Sequence, residues 1–96
     1  MILEVAILNV KSGEGPEFET TFAKAQEIIA ASEGYLGHEL QRCLEIADQY
    51  ILLVKWNTLE AHTEGFRGSA NYQEWKKLLH HFYEPFPTVL HYSSVF

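Results

Sequence analysis

The chain has 96 residues, 47% of them hydrophobic and 21% charged, a balance that argues against disorder and fits one small domain. A formal charge of −6, with seven basic residues scattered along the chain, argues against a nucleic-acid partner, because phosphate binding relies on clustered Lys and Arg. Cys43 is the single cysteine, so no intrachain disulfide can form; it reads as a small buried hydrophobe in a reducing, cytoplasmic setting.

Ile2 to Val10 is rich in aliphatic and β-branched residues and reads as a strand. It is not read as a signal peptide: no basic residue precedes the apolar run, Glu4 interrupts it, and Lys11, Ser12 and Gly13 follow where small cleavage-site residues belong. No stretch approaches the roughly 20 apolar residues of a membrane span, so no membrane contact is expected. Gly13, Gly15 and Pro16 then form a turn into a helix, with Glu17 and Glu19 near the positive end of its dipole. Phe18, Phe22, Ala25, Ile28 and Ile29 give that helix one apolar stripe, and Gly34 supplies its stop.

Tyr35 to Cys43 and Tyr50 to Trp56 read as a strand pair with Ala47, Asp48 and Gln49 near the hairpin tip. The run from Tyr50 to Trp56 hardly alternates, which predicts cover on both faces. Asn57 with Glu60 resembles a capping box opening a short helix over Thr58 to Phe66, and Gly68 breaks it. Ser69 or Asn71 can cap the next helix, where Tyr72, Trp75, Leu79 and Phe82 form an apolar stripe. Pro85 and Pro87 end it, and Thr88 to Val95 is a final strand.

The order βαββαβ predicts an α+β fold of the ferredoxin-like kind, a four-stranded antiparallel sheet with helices on one face, over residues 1–96. One chain's helices cover one face only. The other face predicts a homodimer closed sheet to sheet, a dimeric α+β barrel.

Several segments carry a family likeness: Ser32-Glu33-Gly34-Tyr35-Leu36-Gly37 before the second strand, the junction from Val54-Lys55-Trp56 to Glu60-Ala61-His62, and Phe66-Arg67-Gly68-Ser69 before the last helix. With the element order, they resemble the antibiotic biosynthesis monooxygenase superfamily over essentially the whole chain. The resemblance implies dimeric barrels with a pocket between sheet and helices. It further implies oxygenation of polycyclic phenols, anthrones or quinols by O2 with no cofactor, neither flavin nor metal. Another branch degrades haem with an Asn, a Trp and a His, whose positions fall near Ala6, Gly65 and Trp75 here, so that constellation is missing.

The last third supplies candidate site residues: four of the five histidines and seven of the thirteen Phe, Trp and Tyr residues fall between His62 and Tyr92. Such side chains can line a pocket for a flat organic ligand or simply fill a core. His62 is either a base or proton shuttle, or a residue packed at a helix end. Phe66 shares its helix face as a pocket wall, and Arg67 either stabilises a phenolate or joins a surface ion pair. Tyr72 and Trp75 either orient a ligand or anchor the core, with Phe82 beside them. Of His80 and His81, which point about 100° apart, His81 is the inward candidate, as a site residue or a satisfied core histidine. Asn9 lines the pocket or meets solvent; Glu4 finds a partner such as Lys55 at an interface or opens on the pocket.

There is no metal-ligating spacing, no Gly-rich phosphate loop and no nucleophile elbow. The reading is a cofactor-independent monooxygenase acting on a small aromatic substrate, with two alternatives. One is a non-catalytic barrel that binds a hydrophobic metabolite; the other is a haem-binding relative.

Overall fold

A computed structural model describes all of residues 1–96. Strand β1 (Ile2–Asn9) leads to helix α1 (Gly15–Ala30), strands β2 (Tyr35–Arg42) and β3 (Gln49–Trp56), helix α2 (Ala70–Leu79) and strand β4 (Val89–Ser93). A π-helical turn (Ala61–Phe66) precedes α2 and a 3₁₀ turn (His80–Phe82) follows it. The strands form one antiparallel sheet in the order β2-β3-β1-β4, the ferredoxin-like arrangement.

Strand alternation sorts the side chains. Glu4, Ala6 and Leu8 of β1 and Tyr50, Leu52, Val54 and Trp56 of β3 are buried beneath the helices. Phe18, Phe22, Ala25 and Ile29 of α1, with Trp75 and Leu79 of α2, close over them. Phe82, just past α2, packs edge-on to Phe18 with ring centroids 5.6 Å apart. No helix is long and apolar enough to cross a membrane.

Cover on both faces of β3 is not achieved within one chain. Ile51 and Leu53 are only half-buried, and on neighbouring strands Ile7, Leu90 and Tyr92 are 41%, 52% and 51% exposed. The sheet therefore carries apolar side chains on the face opposite the helices.

The connection from β3 to α2 departs most from the sequence reading. Asn57 does not cap by its side chain. Its backbone N–H donates to Gly34 O at 2.7 Å, and Thr58 Oγ1 accepts from Ala61 N at 3.1 Å instead. The predicted short α-helix over Thr58 to Phe66 is a π-helical turn, marked by Arg67 N donating to His62 O at 3.1 Å. Two glycines permit it. Gly34 has φ +83° and a Cβ there would stand 2.6 Å from the Ala61 Cβ; a Cβ on Gly68 would stand 2.6 Å from Glu64 O. Ser69 does cap α2, accepting from Tyr72 N at 3.2 Å. Cys43 is half-exposed at the β2–β3 hairpin, where its sulfur accepts from Ile46 N.

Candidate functional site

A cavity of about 350 Å³ lies between the inner face of the sheet and the helical layer. Its floor is Glu4, Ala6 and Leu8 of β1 with Leu52 of β3 and Val89 of β4. The π-helical turn and the residue after it contribute His62, Phe66 and Arg67, and α2 contributes Tyr72 and Trp75. Ile29 of α1 with His80, Tyr83, Phe86 and Pro87 completes the wall, the largely exposed Phe86 lying at the rim. A second hollow of about 380 Å³, between α1 and β2, is shallower and bordered by the Glu19–Arg42 ion pair.

The polar end of the main cavity is a connected group. Glu4, 5% exposed, accepts through Oε1 from the Trp56 indole N–H at 2.8 Å. The same oxygen is 3.4 Å from His62 Nε2, and His62 is 3% exposed. His62 Nδ1 is 2.7 Å from His91 Nε2. The His62 ring lies nearly parallel to Trp56, with centroids 5.2 Å apart and planes 19° apart, so its orientation is fixed by stacking as well as by its hydrogen bond to His91.

Burial raises the Glu4 carboxyl above its ordinary range, with the Trp56 hydrogen bond and the Arg67 charge opposing that shift. Burial lowers His62 to about 3, assisted by Arg67 and His91. Burial followed by Arg67 lowers His91, and burial followed by Lys76 lowers His80. Burial also keeps the Tyr83 phenol protonated by raising it. Around neutral pH the cavity thus holds uncharged imidazoles with the Glu4 carboxyl beside them. No three His, Cys, Asp or Glu side chains gather closely enough to hold a metal ion.

Of the residues singled out from sequence, the fold brings His62, Phe66, Arg67, Tyr72 and Trp75 to this cavity, and leaves Asn9, His81 and Phe82 away from it. Asn9 has the wrong parity: with Glu4, Ala6 and Leu8 inward it points to the other face, accepting from Gln49 Nε2 at 3.0 Å. His81 is exposed, and His80 lines the wall in its place. The helix gives way at His80 to a 3₁₀ turn, which advances about 120° per residue rather than about 100°. Phe82 is buried in the core against Phe18. Glu4 opens on the pocket, whereas Lys55, the interface partner considered for it, is exposed. His91 went unassigned in the sequence reading. Its signal is alternation, since Val89 and His91 share a face of β4 and His91 lies directly across from Glu4.

Residues 1–78 match the family of antibiotic biosynthesis monooxygenases. The chain belongs to this family. The uncharacterized protein YczJ of Bacillus subtilis is 55% identical over 95 residues, covering 99% of this chain and all of that one. A mycobilin-producing heme oxygenase of Mycobacterium tuberculosis is 29% identical over 69 residues, 72% of this chain and 66% of that protein. Among solved structures, a candidate antibiotic biosynthesis monooxygenase from Bordetella bronchiseptica superposes with a TM-score of 0.94 at 35% identity, covering 99% of this chain and 97% of that one. SnoaB of Streptomyces nogalater, a cofactor-independent oxygenase, shares the fold with a TM-score of 0.75 at 20% identity over 97% of this chain and 91% of that one.

In this antibiotic biosynthesis monooxygenase relative the buried histidine makes stability depend on pH. The unfolded chain protonates His62 below about 6.5 while the folded chain resists until about 3, so stability falls as pH falls through that window. Glu4 acts the other way: the fold favours its protonated form, a contribution lost as pH rises through its raised folded value. We expect His62 to account for about 1–2 kcal/mol of the stability lost between pH 7 and pH 5. Urea unfolding at both pH values should show a smaller loss in His62→Gln, and equal losses would refute the assignment.

Proposed function

We propose that this protein is a cofactor-independent monooxygenase that uses O2 on a small aromatic substrate of the quinol, anthrone or polyphenol kind. One observation carries the reading: the buried Glu4–His62 pair in the wall of an aromatic cavity large enough for a small fused-ring ligand. The reaction needs a proton removed from an electron-rich ring, and the Glu4 carboxyl, whose hold on a proton burial strengthens, can accept it with His62 alongside. Arg67, at the wall, offers a positive charge to the resulting anion, and Tyr72 and Tyr83 offer O–H donors to ring oxygens. Trp75 and Phe66 supply flat apolar walls.

The chemistry balances without a further reagent. The ring anion passes one electron to O2, the two radicals join through a new C–O bond, and the resulting hydroperoxide loses water as its O–O bond breaks. One oxygen atom stays on the carbon as a carbonyl and the other leaves in water, so an anthrone CH2 becomes C=O. A dry cavity strengthens each polar contact along this path. Oxygen uptake by flavin-free, metal-stripped protein, measured above autoxidation across a panel of quinols and anthrones, tests this reading. Uptake no greater than that of heat-denatured protein would favour a non-catalytic barrel that binds a hydrophobic metabolite.

The working unit in this proposal is a homodimer joined through the bare sheet face, where Ile7, Leu53, Leu90 and Tyr92 otherwise meet water. Light scattering at micromolar concentration should give twice the chain mass of 11.0 kDa, and a single-chain mass would refute the dimer.

A further inference from the structure

The cavity lining includes Glu4 and His62 but not His91, yet the shortest polar contact of His62 is to His91, at 2.7 Å. Glu4 and His91 are cross-strand partners on β1 and β4, and His62 descends from the π-helical turn onto both. β4 is an edge strand, and His91 is only half-buried there. A line of titratable atoms therefore runs from a ligand-facing carboxyl, through both ring nitrogens of a buried imidazole, to a second imidazole at the rim of the sheet. We propose that His91 carries protons between the buried Glu4–His62 pair and solvent, so that a proton taken from a ligand leaves along the sheet edge and not through the occupied cavity.

Two protonation states of the line fit its geometry, and they differ by one proton. With Glu4 ionised, His62 Nε2–H faces the carboxylate and Nδ1 accepts from His91 Nε2–H. With Glu4 protonated, its carboxyl O–H is turned toward His62 Nε2 across 3.4 Å, and His62 Nδ1–H donates to His91 Nε2. Passing from the first to the second takes up one proton from water at His91 Nδ1, and the 3.4 Å gap between Glu4 and His62 closes as the proton crosses it. In the second state, a ligand O–H proton taken up by the free oxygen of the Glu4 carboxyl is matched by transfer of the carboxyl's own proton to His62 Nε2. The Nδ1 proton of His62 passes to His91 Nε2, and His91 Nδ1–H gives its proton to water, leaving the ligand anion behind. No electron moves in this relay. The charged neighbour is Arg67, which lowers both His62 and His91 and so keeps either imidazole from trapping the proton. Tyr72, His80 and Tyr83 face the cavity from the other walls.

The relay rests on the assignment of Glu4 and His62 as the base, but its test needs no substrate. In protein labelled with 15N in its imidazole rings, exchange of the His62 ring proton with water is followed by NMR. His91→Gln keeps a donor for Nδ1 but cannot pass a proton on, so it separates relay from positioning. We expect exchange at least about tenfold slower in His91→Gln and in His91→Phe, with free imidazole restoring it in part. The Trp56 indole N–H resonance reports that the fold is intact. Unchanged exchange in either folded variant would overturn the relay. If exchange depends on His91 while no quinol or anthrone supports oxygen uptake, the oxygenase reading fails and the relay stands.

Discussion

Replacing Trp56 by Ala should lower the unfolding free energy by about 3–5 kcal/mol. Trp56 is 0% exposed and ends the central strand β3, where it pairs with Ile2 on one side and Tyr35 on the other. Its indole stacks on His62, lies 5.8 Å from the Phe66 ring, and meets the Tyr35 ring edge-on at 6.3 Å. Removing it opens a void at the junction of sheet and π-helical turn and leaves the buried Glu4 carboxyl without its N–H donor. Trp56→Phe separates the two effects, since it keeps most of the ring area and removes the donor, and should cost about 1–3 kcal/mol. Urea unfolding monitored by circular dichroism measures both. A loss under about 1 kcal/mol in the Ala variant would mean that this corner of the fold is not packed as described.

The largest effect on activity is expected from His62. If the Glu4–His62 pair removes the substrate proton, His62→Ala should reduce kcat by about 10²–10⁴. KM should change far less, because the aromatic wall of Phe66, Tyr72 and Trp75 remains to bind the ring. His62→Gln, closer in size, separates lost chemistry from a collapsed cavity. Steady-state oxygen uptake on the best substrate measures both, and a variant with kcat within about twofold of the parent would remove His62 from the chemistry.

Much of this architecture is legible in the residues. The stripe Phe18, Phe22, Ala25 and Ile29 places α1 on the sheet, Ser69 marks the start of α2, and Trp75 with Leu79 marks its buried face. The apolar run Tyr50 to Trp56 foretells a strand whose second face needs cover, and that cover is not provided within one chain. The π-helical turn is not legible, because an i to i+5 bond leaves no residue pattern; only Gly34 and Gly68 hint at the close approaches it needs.

That turn sets the orientation of His62, Phe66 and Arg67, so the cavity geometry had to come from the fold. The exchange of His81 for His80 has the same origin: helical periodicity continued past Leu79 turns His81 inward, but the helix has already tightened there. Asn9 differs, since two-residue alternation from Glu4 through Leu8 assigns it to the opposite face, and that information was in the sequence. Partner choice for Glu4 was open because its nearest donors, Trp56 and His62, are distant in sequence and meet it only through strand register and the turn.

Turnover under 18O2 puts the oxygenase reading to its most direct test. Metal-stripped, flavin-free protein would be given an anthrone or quinol that supports oxygen uptake, and the product analysed by mass spectrometry. A monooxygenase working through the Glu4–His62 pair should place one labelled atom in the product and the other in water, and the labelling should fall with kcat in His62→Gln. Product without label, or label that appears equally with denatured protein, would contradict it.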